Sequence, residues 1–136
     1  MMVRRCRADF NECVAAIKRR IEEGGATVFA VIDHSRNARD AGLALDDDVV
    51  IIFGNPRAGT ILMQLDRRMS YDLPLRVAVW RGEDGATYIG YRMPSDVARE
   101  HGVSHDVVGK MDEFMNWVLN GLTEEATNED GAGGDH

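Results

Sequence analysis

Val49-Val50-Ile51-Ile52-Phe53-Gly54-Asn55-Pro56-Arg57-Ala58-Gly59-Thr60 decides how this chain folds. Five consecutive apolar residues, four of them β-branched, predict a buried strand over Val49–Phe53. Gly-Asn-Pro then ends it: Asn55 is a helix cap, and Pro56 suits the first helical position. Ile61, Leu62, Leu65 and Met69 follow at helical intervals. Upstream, Ala26–His34 reads as a second strand. Val28, Ala30, Ile32 and His34 share one face, and Phe29, Val31 and Asp33 share the other. Both faces stay apolar until the last pair, which predicts a central strand with a polar C-terminal end. Between the two strands, Ser35–Ala41 reads as a short helix capped by Ser35 and stopped by Gly42.

Further outward, Val3–Ala8 is expected as a strand, and Arg4, Arg5 and Arg7 place it at an edge. Asp9 with Glu12 forms a capping box for a helix whose Phe10, Cys13, Val14, Ile17 and Ile21 face inward until Gly24-Gly25. Leu75–Trp80 is a third central strand. Gly82-Glu83-Asp84-Gly85 is a hairpin turn, and Ala86–Tyr91 returns antiparallel. After Pro94, Ser95 and Ser104 are expected to cap two helices, the second burying Val107, Val108, Met111, Phe114, Met115, Val118 and Leu122. Such a Met-rich stripe fits core better than a cofactor pocket. The order predicts a two-layer α+β sandwich: a mixed or antiparallel sheet of about five strands, with helices mainly on one face. Residues 1–123 make the single domain, and the acidic, Gly-rich segment 124–136 is a mobile tail.

The composition excludes several classes. Lys+Arg total 16 against Asp+Glu 23, a net charge of −7, which argues against a nucleic-acid binder. No apolar run approaches a membrane span, so neither nucleic acid nor membrane is expected as a partner. Cys6 and Cys13 lack metal-knuckle spacing and suggest a cytoplasmic protein with ordinary buried thiols; a redox pair is the alternative. Neighbours in an extended chain point to opposite faces, so Asp46-Asp47-Asp48 is solvated charge rather than a metal cluster. No metal or cofactor is expected.

Three segments carry candidate chemistry. At the Gly54–Thr60 turn, backbone N–H groups at the helix start, its dipole and Arg57 would favour an anion; the alternative is a capped strand-to-helix turn. At Asp33-His34-Ser35, the imidazole is either a general acid or base or a strand-end structural group. Asp72 could orient His34, or pair with Arg76 or Arg57. His101 and His105 have the i, i+4 spacing of metal ligands, but Gly102 and Ser104 interrupt any helix there.

Val28–His34, Ala41-Gly42-Leu43, Ile52–Thr60, Asp72–Arg76 and Tyr91 resemble, in order, the family numbered 302 among domains of unknown function. The Phe-Gly-Asn-Pro-x-x-Gly-Thr string carries most of the likeness. It implies a prokaryotic domain of TATA-binding-protein-like α+β fold, commonly dimeric, with no established activity. The family positions are His34, Gly54, Asn55, Pro56, Gly59, Thr60, Asp72 and Pro74. Three readings follow. In the first, a homodimeric binding or regulatory module holds a small anionic ligand at His34, Asn55, Arg57, Gly59 and Thr60. In the second, an enzyme uses His34 oriented by Asp72. In the third, an interaction protein has no small-molecule site. The first two require His34 to lie beside the Asn55 turn, as parallel neighbouring strands would allow.

Overall fold

A computed structural model describes residues 1–124. The elements run β1 (Met2–Arg5), α1 (Phe10–Glu23), β2 (Thr27–Asp33), α2 (His34–Asp40) and β3 (Asp48–Gly54). They continue with α3 (Pro56–Leu65), a 3-10 turn (Arg67–Tyr71), β4 (Leu75–Arg81), β5 (Thr87–Tyr91), α4 (Pro94–Glu100) and α5 (Asp106–Leu119). The α+β class and the element order match the sequence expectation. The five strands form one open sheet in the order β1-β5-β4-β3-β2, and every pairing is antiparallel.

Strand alternation builds the core. Val49, Ile51 and Phe53 of β3, Val77 and Val79 of β4 and Ile89 of β5 point to one face. There they meet Phe10, Cys13, Ile17 and Ile21 of α1 and Met115 and Val118 of α5. Each fully buried side chain of this size contributes about 1.5–3 kcal/mol through burial alone. A smaller cluster of Leu62, Met69, Val97, Ala98 and Val108 ties α3, the 3-10 turn, α4 and α5 together. On the opposite sheet face Trp80 stacks on Tyr88, with ring centroids 6.1 Å apart, and lies so close over Gly90 that a Cβ there would sit 2.8 Å from it.

The position of β2 differs from expectation. It is an edge strand, not a central one, and Phe29, Val31 and Ile32 are 48%, 40% and 37% exposed. Apolar residues on both faces do not by themselves distinguish a strand flanked on both sides from a bare apolar edge. A register shift between Val28 and Ala30 puts a bulge at Phe29. β1, at the other edge, carries the expected arginines.

Three caps also differ. Asp33, not Ser35, caps α2: its carboxylate accepts the Arg36 N–H at 3.0 Å and the hydroxyl of buried Ser35 at 2.7 Å. α4 begins at Pro94 with no side-chain cap, and α5 is capped by His105 rather than Ser104, its Nδ1 accepting from the Val107 N–H. Where the tail was expected to begin, the Glu124 N–H still donates to the Arg5 carbonyl. The rest of the expected tail lies outside the described residues.

Candidate functional site

The antiparallel register of β2 on β3 dictates what can meet. Asp33 lies opposite Val49 and Thr27 opposite Gly54. His34 and Asn55 therefore sit at opposite ends of the strand pair, about 23 Å apart along the sheet. The expected common hollow does not form. A helix between two strands permits parallel pairing, but the short α2 connection instead turns the chain straight back. His34 is exposed at the first residue of α2, near the carboxylate of Asp48, whose pKa burial raises.

Asp72 does not reach His34 either, nor does it pair with Arg57 or Arg76. It lies at the Gly54 end of the sheet, just ahead of β4. There its carboxylate meets His101 Nε2 at 2.7 Å and Arg92 at 3.7 Å. His101 ends α4, so this half-buried contact fastens the 3-10 turn to α4. The His34–Asp72 general acid–base pairing is thereby removed, and His101, whose spacing to His105 had suggested only an interrupted metal motif, is the histidine that Asp72 holds. Among the described residues no group of three or more His, Cys, Asp or Glu side chains is placed to hold a metal. Asp46 and Asp47 of the acidic run lie 3.7 and 2.6 Å from Arg81.

The helix start at Asn55 is also more fully satisfied than expected. Pro56 has no N–H. Asn55 Oδ1 accepts from the Arg57 and Ala58 N–H groups at 2.9 and 3.3 Å, and its carbonyl accepts from Gly59. Thr60 Oγ1 donates back to the Pro56 carbonyl at 2.7 Å. The first-turn donors that an anion would need are already engaged, which removes the basis for anion binding by the helix terminus. Arg57 is exposed and lines neither of the cavities described next.

The turn does border a hollow, an apolar one. Two cavities of about 230 Å³ each share Gly54, Asn55, Leu75 and Met111. One is walled by Phe29, Gly59, Thr60, Met63, Leu73 and Pro74. The other is walled by Phe53, Ala58, Val107 and Phe114, with Lys110 at its edge. Of the ligand-binding candidates, Asn55, Gly59 and Thr60 line this hollow; His34 and Arg57 do not. Phe29, Met63, Leu73, Lys110 and Met111 were missed. The Met-rich periodicity of α5 was the available signal, since Met111 faces the hollow while Met115 is fully buried.

Two donors serve the hollow. With Asn55 Oδ1 fixed by the cap, the side-chain amide is oriented and its Nδ2 has no protein acceptor among the described residues. Lys110 is exposed and has no acidic partner among them.

These features define a small antiparallel α+β domain with an apolar hollow beside a capped strand-to-helix turn. The chain belongs to the family described as Domain of unknown function DUF302, whose match covers residues 2–120. A crystal structure of an uncharacterized conserved DUF302 protein from Bacillus stearothermophilus shares the fold. Its TM-score is 0.76 at 16% identity, covering 87% of this chain and 94% of that one. The chain is also 37% identical over 101 residues to proteins named Fluoride-specific ion channel FluC 1 from Brucella suis and Brucella abortus. The match covers 73% of this chain but only 40% and 37% of theirs, so the chain spans about two fifths of these relatives. Among the described residues no helix is long and apolar enough to cross a membrane.

The capping role of Asn55 and the exposure of His34 predict unequal stability effects. In urea denaturation, Asn55→Ala should cost about 1 kcal/mol, within the 0.5–2 kcal/mol span of lost caps. His34→Ala should change stability by less than about 0.5 kcal/mol. A larger loss in His34→Ala than in Asn55→Ala would contradict both assignments.

Proposed function

We propose that this domain is a homodimeric binding and regulatory module, and that its ligand is a small molecule with an apolar body and one acidic group. The observation that carries this reading is the pairing of an apolar hollow with two unshared donors, Asn55 Nδ2 and the Lys110 ammonium. A few placed polar groups in an apolar concavity are the usual make-up of a small-molecule site. The acidic group is thus met by side chains rather than by the helix terminus. Methionine walls, here Met63 and Met111, adapt to irregular apolar shapes. The curated relatives support a regulatory role, because in them the matching segment shares a chain with a protein named as an ion channel.

Octanoate, octanol and inorganic phosphate separate the parts of this reading. Octanoate should shift the methyl resonances of Met63 and Met111, octanol should do so more weakly, and phosphate should not. Lys110→Ala should weaken octanoate binding two- to fivefold, the scale of one exposed charge contact. Unmoved Met63 and Met111 methyls at millimolar octanoate would end the proposal.

The homodimer is supported by the β2 edge. Its outer backbone groups have no strand partner among the described residues, and Phe29, Val31 and Ile32 are exposed beside them. β1 is guarded by Arg4 and Arg5, whereas β2 has no such charge before Asp33. Antiparallel pairing of two β2 strands about a two-fold axis would join the sheets and cover these side chains. Light scattering should give twice the chain mass at micromolar concentration, and Val31→Lys should give the monomer mass. A monomeric wild type, or a Val31→Lys variant that stays dimeric, would remove this interface.

A further inference from the structure

The two cavities beside Asn55 differ in chemistry. The one bordered by Lys110 and Phe114 carries the ammonium and is the head lobe. The other, the tail lobe, has no charged residue in its wall, and its Thr60 hydroxyl already donates to the Pro56 carbonyl. Each holds about 230 Å³. A usual small-molecule site holds roughly 300–1,000 Å³, so either lobe alone is too small, whereas the two joined fall within that span.

What separates the lobes is the wall they share: Gly54, Asn55, Leu75 and Met111. Gly54 has no side chain. Asn55 is held by its cap, accepting from the Arg57 and Ala58 N–H groups. Leu75 is buried in the main core cluster. Met111 is half-buried, packs against both core clusters, and has an unbranched side chain with three rotatable bonds. It is therefore the movable part of the partition. Two glycines keep the tail lobe open. A Cβ on Gly54 would lie 3.7 Å from Pro74 Cβ and 3.8 Å from Phe29 Cε2, and one on Gly59 would lie 3.8 Å from both Leu73 Cδ1 and Met63 Cε. All four neighbours are tail-lobe walls, so a longer side chain at either position would extend into that lobe.

We propose that the hollow takes an unbranched aliphatic carboxylate lengthwise, its carboxylate in the head lobe and its chain running past Met111 into the tail lobe, and that Met111 selects for this shape. The proposal rests on the reading of the hollow as a site for an apolar molecule with one acidic group. Lys110 and Asn55 Nδ2 receive the carboxylate. Beyond Asn55, the side chains of the tail lobe offer it no free donor among the described residues, so charge fixes the direction of entry. Only one side of the partition moves, because Asn55 and Leu75 are fixed. The passage therefore suits a chain rather than a branched or ringed body.

Calorimetric titration of the full chain with hexanoate, octanoate, decanoate and 4-cyclohexylbutanoate tests the pose. From hexanoate to decanoate, affinity should rise about fourfold per added methylene, the scale of one buried CH₂ group. Gly59→Leu places a better helix former on α3 and leaves the head lobe untouched. It should hold hexanoate within about twofold and weaken decanoate about tenfold or more. The wild type should prefer decanoate to 4-cyclohexylbutanoate, which has the same number of carbons, by about tenfold, and Met111→Ala should abolish that preference. In bound decanoate the terminal methyl should show nuclear Overhauser effects to the Met63 methyl, and the methylene next to the carboxylate should show them to the Lys110 side chain. Failure of all four acids to bind would overturn the reading of the hollow and this pose with it. Octanoate binding would leave the reading standing while any of three results overturned the pose: a decanoate-to-hexanoate ratio unchanged in Gly59→Leu, a terminal methyl beside Lys110, or a preference unaltered in Met111→Ala.

Discussion

The antiparallel pairing of β2 with β3 is the constraint on which the rest of the structure depends. Both strands end in polar sequence, Asp33-His34-Ser35 and Gly54-Asn55-Pro56, and each ending leads into a helix. Parallel pairing would gather the two endings at one side of the sheet. Antiparallel pairing sends them to opposite sides and gives each a separate structural task. At one end Asp33 and Ser35 close α2. At the other, Asn55 closes β3, opens α3 and borders the hollow.

The same pairing explains the kind of site that results. Since Asn55 Oδ1 and its carbonyl engage the first-turn N–H groups of α3, little fixed positive potential is left for an inorganic anion. The walls contributed by β2, the Leu73-Pro74 segment and α5 are apolar, and polar contact falls to one amide and one ammonium. Asp72 is drawn into the bond with His101 that fastens α4 nearby. The Asn55 cap, the Asp72–His101 bond and the apolar hollow thus share one end of the sheet.

Much of this was legible in the sequence, and the rest was hidden for identifiable reasons. The helix over Phe10–Glu23 could be read because its capping box, apolar spacing and Gly-Gly stop all agree. The hairpin of β4 and β5 and the cap at Asn55 were equally open to reading, since each is local. Strand neighbourhood is not local. Nothing within Thr27–Asp33 distinguishes an apolar edge from a central strand, so its position and direction escaped, and the His34 site with them. Ser35 and Ser104 looked like caps, but Asp33 and His105 lay one or two residues away with equally capable acceptors. The apolar wall was missed because Met63, Leu73 and Met111 are chemically the same as core residues. Only the tertiary arrangement shows that they face a hollow.

The most direct measurement is a set of cross-strand nuclear Overhauser effects between β2 and β3 in isotope-labelled protein. The account predicts backbone contacts linking Thr27 with Gly54, Val31 with Ile51 and Asp33 with Val49. Contacts running the other way, with Thr27 near Val49 and His34 near Asn55, would contradict it. They would restore the shared polar site that antiparallel pairing forbids.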